Sequence, residues 1–380
     1  MMGDEVGRWP WWTAEWPGVG GRIREQPEDF FVEEIPAYQP CGQGEHLYLQ
    51  IEKRNVSAEY LLRRLSQQLG IPATGLGVAG LKDRHAVTRQ WISVPQECGS
   101  RLDRLVSLEA EGIRLLQVSR HRNKLRPGHV RANRFRILIR GADATAPWQA
   151  ILHKLQQLGL PNYYGPQRFG HHGSTLALGW QCLHRQVSRS QVRPWQFRLA
   201  LSAVQAHLFN VYLARRQQEG LLRRVLEGDV LVHWPVGGLF RAQDVDAEQA
   251  RLEARQVVPA GPMFGTRLYP AAGVAAQREA AVLHRFGLSP ASFAGFGKLL
   301  TGTRRRCLIY VDDLHAHWQA EGLWLQFTLP AGSYATVLLA EVMKTETTWL
   351  TETASDLDGD NATLPTMEEL SVEQRRDPEG

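Results

Sequence analysis

Asp83 is the residue of this chain whose surroundings most suggest chemistry. It lies in the glycine-containing loop Ala79-Gly-Leu-Lys-Asp-Arg-His-Ala-Val-Thr88, directly flanked by Lys82, Arg84 and His85. Cations that close would steady a carboxylate and draw a phosphate near, so the pattern fits a nucleophile or a charge stabiliser acting on a polyanion. The same types also fit a turn aspartate paired with a neighbouring arginine, and on type alone that plainer reading leads. The loop nominates Asp83 without electing it.

Other candidate motifs fare worse. Gly75-Leu-Gly-Val-Ala-Gly80 has the spacing of a dinucleotide fingerprint. It follows a helix stop and runs into Leu-Lys-Asp-Arg, where a cofactor-binding helix should begin, so a nicotinamide or flavin enzyme is a poor third reading. Gly297-Lys298 lacks the flanking residues of a phosphate loop. His171-His172 and His315-x-His317 have no accompanying Cys, His or Glu at metal-ligand spacing, and the four cysteines contain no C-x-x-C. Neither a metal nor a disulfide framework is expected.

Charge points to a partner. The chain carries +5, but Thr351–Gly380 holds nine acids against two arginines, a net of −7, which leaves +12 on residues 1–350. A basic body suits a polyanion, because each neutralised phosphate releases counterions. Arg114–Arg140 concentrates the effect, with nine Lys/Arg, His121, His129 and no acid. A merely solvated face usually mixes both signs, so this segment reads as a phosphate-tracking surface. There is no run of 18 apolar residues and no basic-then-apolar start, so a cytoplasmic, non-membrane location is expected.

The elements that must position these groups follow from periodicity. Arg22–Glu34, Glu45–Glu52, Val87–Val94 and Ile113–Val118 read as strands, as does Val130–Arg140, which sets Phe135, Ile137 and Ile139 against Arg134, Arg136 and Arg140. Leu61, Leu65 and Leu69 share one helical face over Ser57–Leu69, which Gly70 and Pro72 stop. Trp148–Leu158 predicts a helix, and the turn-rich 161–170 marks a boundary. From about 171 to 310 the pattern is mainly helical, with Pro259-Ala-Gly-Pro262 read as a loop. Strand character returns at Leu323–Leu329, before a helix ending near Lys344 and N-capped by Ser333. The tail after about 350 has too few large apolar residues to offset its ordering entropy and is expected to be disordered.

Several segments, in order, resemble the TruD family of tRNA pseudouridine synthases: Pro27-Glu-Asp-Phe30, Gly42-x-Gly-Glu-His46, the run from Ala79 to Trp91, His121–Arg126, Asn133-x-Phe135, the run from Pro161 to Gly170, and Leu329-Pro-Ala-Gly-Ser-Tyr-Ala-Thr336. The resemblance implies an α+β fold: a pseudouridine synthase catalytic domain on a mixed, largely antiparallel sheet, formed by 1–160 and 311–350. A TRUD-type insertion domain would occupy 161–310, with 351–380 as an acidic tail. It implies an isomerase that converts uridine 13 of tRNA to pseudouridine without metal or organic cofactor, and a monomer is expected. Asp83 would attack C1′ of the ribose or C6 of the uracil of a flipped-out nucleotide. Asn133 and Phe135 would hold the base and Lys82 would support the site, although Phe135 equally fits the core face of its strand and Asn133 a turn. Arg84, His85, Arg122, Lys124, Arg126, Arg168 and Phe169 are the RNA-contacting candidates, joined by Arg304–Arg306. The rival function is a non-catalytic tRNA-binding or RNA-folding factor with a vestigial site.

Overall fold

In the computed structural model residues 9–345 are described, so the acidic tail lies outside the described residues. Among these, no helix is long and apolar enough to cross a membrane, and no cluster of His, Cys, Asp or Glu is placed to hold a metal. The chain forms two compact units.

One unit comprises 19–145 and 312–332. Its strands, numbered along the chain, are β1 (Phe30–Pro36), β2 (His46–Arg54), β3 (Gly77–Val78), β4 (Val87–Pro95), β5 (Ile113–His121), β6 (Val130–Arg140), β13 (His315–Gln319) and β14 (Gly322–Pro330). They make an eight-stranded sheet in the order β13-β14-β6-β1-β4-β2-β5, with β3 added beside β4. Only the β1–β4 pair is parallel, so the sheet is mixed and largely antiparallel.

Alternation explains the core. Leu47, Leu49 and Ile51 of β2 point to one face, where helix α1 (Ala58–Leu69) lays Leu61, Leu65 and Leu69 against them, with Cys98, Leu105 and Leu108 of the following 3₁₀ segment. Each fully buried leucine contributes roughly 1.5–3 kcal/mol. Ser57 caps α1 by accepting from the Tyr60 N–H at 3.1 Å, and Gly70 ends it at φ 61°, a conformation only glycine adopts without strain. Gly77, the middle glycine of the G-x-G-x-x-G pattern, serves packing: a Cβ there would stand 2.3 Å from Ser93 Oγ and 2.4 Å from Leu125 O.

The second unit comprises 9–18, 146–311 and 333–345 of the described chain. Its helices are α2 (Trp148–Leu158), α3 (Ser174–Leu183), α4 (Pro194–Gln218), α5 (Val245–Glu253), α6 (Gly273–Arg285) and α7 (Ala335–Met343). Helix α4 is buried on most sides, as a central core helix must be. Two small sheets accompany the helices: β7 (Leu160–Pro161) with β12 (Leu308–Ile309), and the order β11-β10-β8-β9 from Thr303–Arg306, Val257–Met263, Val230–His233 and Leu239–Arg241. The buried strand β10 contains the Pro259–Pro262 stretch expected to be a loop. Val257–Pro259 pair with β8 and Ala260–Met263 with β11, so each half is paired along one edge and tolerates prolines lacking a donor.

Compactness also draws the unit boundaries elsewhere than 160/161 and 310/311. Residues 9–18 and α7 belong with 146–311, tied together by the buried Glu341 carboxylate, which accepts from the N–H groups of Trp12 and Thr13 at 2.8 and 3.1 Å and from Thr13 Oγ1 at 2.6 Å. The expected Ser333 cap does not form: Tyr334 is the N-cap residue of α7, and the Ser333 hydroxyl bonds to Asn162 Oδ1 instead.

Candidate active site

The register of the sheet assembles the site. Residues directly opposite on paired strands point to the same face. One row across the sheet therefore reads Phe327, Phe135, Val32, Thr88, Lys53, and beyond it on the same face stand Leu329, Asn133 and Glu34 on three paired strands and Gln90 opposite Ile51 on the next two. All of these lie on the face that packs α1. The face that is apolar under the helix thus becomes polar further along, and the 79–86 loop connecting β3 to β4 is fastened to those polar residues.

Several contacts hold that loop. Lys82 Nζ donates to Glu34 Oε2 at 2.7 Å with both side chains buried, while Glu34 Oε1 accepts from the Trp91 N–H at 3.3 Å, taking a donor beyond the Phe31–Glu33 stretch that β1 pairs with β4. Lys53, 0% exposed, donates to the carbonyl oxygens of Asp83 at 2.5 Å and Val56 at 2.7 Å. On the outer side, the Asn55 N–H donates to Ala86 O at 3.0 Å, and Asn55 Oδ1 is 3.1 Å from His85 Nδ1. Among the described residues of this unit, the two non-glycine residues with left-handed backbone are Asn55 (φ 54°) and Arg24 (φ 62°), and both touch this loop. Such a conformation costs an ordinary residue about 1–2 kcal/mol.

Asp83 itself presents its carboxylate outward, with 44% of the side chain exposed, and Arg24 Nη2 meets Oδ1 at 3.0 Å. Arg24 is mostly buried because its guanidinium lies 4.0 Å from the centroid of the Phe30 ring. Phe30 in turn meets Phe135 edge-on at 6.3 Å, and Phe135 stacks on Phe327 at 5.2 Å. The result is an anionic group clamped by one cation beside an aromatic bank. Asn133, cross-strand from Glu34, adds a buried Oδ1 with no hydrogen-bond partner. An unpaired buried acceptor is costly.

The structure therefore brings Asp83, Lys82, Asn133 and Phe135 to one end of one sheet face. Two roles shift. The ion pair of Asp83 is with Arg24, a residue 59 positions away, while the Lys82 ammonium is committed to Glu34. Phe135 is 7% exposed, so most of its ring is core and only a margin is open. Arg24, Glu34, Lys53, Phe30 and Phe327 were not singled out from sequence. A signal existed for two of them, since Glu34 is in phase with Phe30 and Val32, and Lys53 with Leu47, Leu49 and Ile51.

The RNA-contacting candidates scatter. Arg122 and Arg126 are exposed on a loop whose Gly128 N–H donates to Ala79 O at 3.0 Å, at the base of the Asp83 loop. Arg84 is also exposed. Lys124 bonds the Thr74 carbonyl, and burial, then Arg126, pulls its ammonium below the usual lysine range. In the other unit, Arg168 bonds the Ser202 hydroxyl, and Phe169, 1% exposed, lies in the core with no ring face open to a base. Arg304 is buried against Glu279, Arg305 lies over the Tyr164 ring at 3.9 Å while bonding Asn162, and Arg306 donates to Pro235 O at 2.8 Å. Arg304 and Arg305 are thus committed to contacts within the fold, contrary to the expectation that they grip RNA, while Arg306 stays half-buried.

The basic sheet face is also corrected. Across the strands one row on the opposite face runs Arg134, Glu33, Arg89, Glu52, Arg114, alternating in sign, with Arg134–Glu33 at 2.9 Å and Arg89–Glu52 at 2.7 Å. The acids absent from 114–140 are supplied by β1 and β2.

Comparison with known proteins bears on the family and the fold. The family model described as tRNA pseudouridine synthase D (TruD) matches residues 8–190 and 185–342. A tRNA pseudouridine synthase D of Anaeromyxobacter sp. (strain Fw109-5) is 45% identical over 336 residues, 87% of this chain and 95% of that one. A counterpart from Thermus thermophilus is 44% identical over 342 residues, 89% and 93% of the two chains. The crystal structure of a Methanosarcina mazei protein assigned to the same family superposes with a TM-score of 0.73 at 23% identity, covering 90% of this chain and 97% of that one. The fold is the α+β pseudouridine synthase fold that the sequence motifs implied, and the chain belongs to the tRNA pseudouridine synthase D (TruD) family.

Proposed function

We propose that this protein isomerises uridine 13 of tRNA to pseudouridine, with Asp83 as the nucleophile. One observation carries the reading: an outward-facing carboxylate clamped by Arg24 beside the Phe30–Phe135–Phe327 bank and the unpartnered Asn133 Oδ1. A uridine in a folded tRNA must leave its stack to be reached, and a flipped base needs an apolar platform and a polar edge contact. The open margin of Phe135 supplies the first and Asn133 the second, accepting from uracil N3–H.

Asp83 attacks C1′ of the ribose or C6 of the uracil, and the C1′–N1 bond breaks. The base turns and C5 bonds to C1′, the bond from Asp83 to C1′ or C6 breaks and returns the free carboxylate, the C5 proton leaves to solvent and N1 gains a proton, so the net change is an isomerisation with no redox step. Arg24 keeps the carboxylate aimed outward between turnovers and can balance charge as the nucleotide bonds to it. Lys82 acts through Glu34, fixing the loop. Arg84, His85, Arg122, Lys124 and Arg126 would meet tRNA phosphates next to the loop, within the catalytic domain, and 161–310 would serve as the TRUD insertion domain.

The test uses the full chain carrying Asp83→Asn, an unmodified tRNA transcript with uridine at position 13, and carbodiimide modification read by primer extension. The expected outcome is tRNA binding without a pseudouridine stop at position 13. Pseudouridine formed at the wild-type level would falsify the mechanism. Equal rescue of a deletion strain by wild type and Asp83→Ala would favour the non-catalytic RNA-folding reading.

A further inference from the structure

Lys53 occupies a buried position in phase with Leu47, Leu49 and Ile51. Its ammonium is instead buried beneath the Asp83 loop, with the carbonyl oxygens of Asp83 and Val56 as its hydrogen-bond acceptors. Neither acceptor is a carboxylate. The charged groups that act on it are Asp83 and Lys82 from the loop and Glu59 from α1, and Thr88 stands across the ladder with its hydroxyl unpartnered. Burial dominates and pulls the Lys53 ammonium down from 10.5 to about 8. A buried cation without a direct ion pair is unfavourable for folding, and this one touches the main chain of the proposed nucleophile.

We propose that Lys53 is the positioning residue of the site: its buried ammonium fixes the Asp83 main chain and sets beneath the carboxylate a positive charge that salt and water do not screen. The inference rests on Asp83 being the nucleophile. When tRNA phosphates gather around the loop, the exposed Arg24 contact to Asp83 competes with them for the guanidinium, whereas the Lys53 contact lies out of their reach. Lys53 exchanges no proton with substrate in this scheme and acts through the geometry and charge of Asp83.

The experiment compares wild type with Lys53→Met in the full chain, using the same tRNA transcript. Three readouts are taken: single-turnover rate against tRNA concentration, the pH dependence of kcat/KM, and hydrogen exchange over residues 79–88. The expected result is a kcat lower by roughly 10- to 100-fold with tRNA affinity changed by less than about two-fold. Protection of 79–88 falls, and the wild-type kcat/KM declines above about pH 8 as the free enzyme loses the Lys53 proton. Wild-type rate and wild-type protection in Lys53→Met overturn the proposal. Should that variant not fold, the wild-type profile decides, and a flat kcat/KM from about pH 7 to about pH 9.5 overturns it. A wild-type chain that makes no pseudouridine overturns the proposed function instead. In that case protection lost from 79–88 still supports the hold of Lys53 on the loop, and unchanged protection refutes it.

Discussion

Lys53 lowers the stability of the protein at neutral pH, and the size of the effect can be measured. Its folded-state pKa near 8 lies below the 10.5 of an exposed lysine because burial penalises the charged form. Between those two values the unfolded chain holds a proton that the folded chain has released, so stability rises with pH across that window. Below about pH 8 both states are protonated and a constant penalty of roughly 3 kcal/mol remains. Urea denaturation of wild type and Lys53→Met at about pH 7.5 and about pH 10 should therefore show wild type gaining on the variant by about 2 kcal/mol or more as pH rises. A difference independent of pH would mean that Lys53 is not desolvated as described. Sequence exposed only part of this residue-scale arrangement. Asp83 was visible because its cationic neighbours are adjacent in the chain, whereas Arg24, Lys53 and Glu34 reach the loop from 59, 30 and 48 positions away. Their trace was a charged residue in phase with a buried face, a sign of burial that does not say what the charge meets.

Elements were more legible than contacts, and the sheet shows why. The α1 leucines and the alternation of β2 and β6 fix each element from its own residues, since periodicity is local. The charge of a sheet face is not local, because half of it comes from neighbouring strands whose register is set by the whole sheet. Arg114–Arg140 reads as a phosphate track by itself, and in the sheet Glu33 and Glu52 stand in one row with its Arg134 and Arg114. The strand β10 was missed for a related reason: Pro259 and Pro262 break a strand only if both edges are paired, and here each half pairs along one. A prediction separates the two kinds of arginine. Arg134→Ala should leave the salt dependence of tRNA binding unchanged, because that side chain already has Glu33 as a counterion. Arg122→Ala and Arg126→Ala, on the exposed loop beside Ala79, should each reduce the slope of log affinity against log salt by about 0.7–0.9. Fluorescence titrations at four or five salt concentrations suffice. Equal effects from all three variants would restore the sheet face as an RNA surface.

At the scale of the molecule the charge divides along the chain, with +12 on residues 1–350 and −7 on the last thirty. Ion pairs such as Arg216–Asp229 and Arg304–Glu279 cancel within the fold, so the excess of cations must act outward, on whatever anion is nearest. For a tRNA-binding protein two anions compete, the RNA and the acidic segment of the same chain. A segment covalently attached to the basic body has a high effective concentration, so even weak attraction occupies part of the basic surface at low salt. The Debye length shrinks from about 10 Å at 0.1 M salt to about 3 Å at 1 M, so the competition should fade as salt rises. Deleting residues 351–380 should thus raise the association rate for tRNA several-fold at about 50 mM salt and by less than about two-fold at about 1 M, steepening the salt dependence overall. Stopped-flow binding with the full chain and the truncated chain provides the comparison. If the two salt curves are parallel, the acidic segment does not compete for the basic surface, and its charge bears on solubility alone. If they diverge as expected, the segment limits nonspecific capture of RNA. On the proposed function, the choice of the target uridine then falls to the short-range contacts around Asp83, which salt weakens less than long-range attraction.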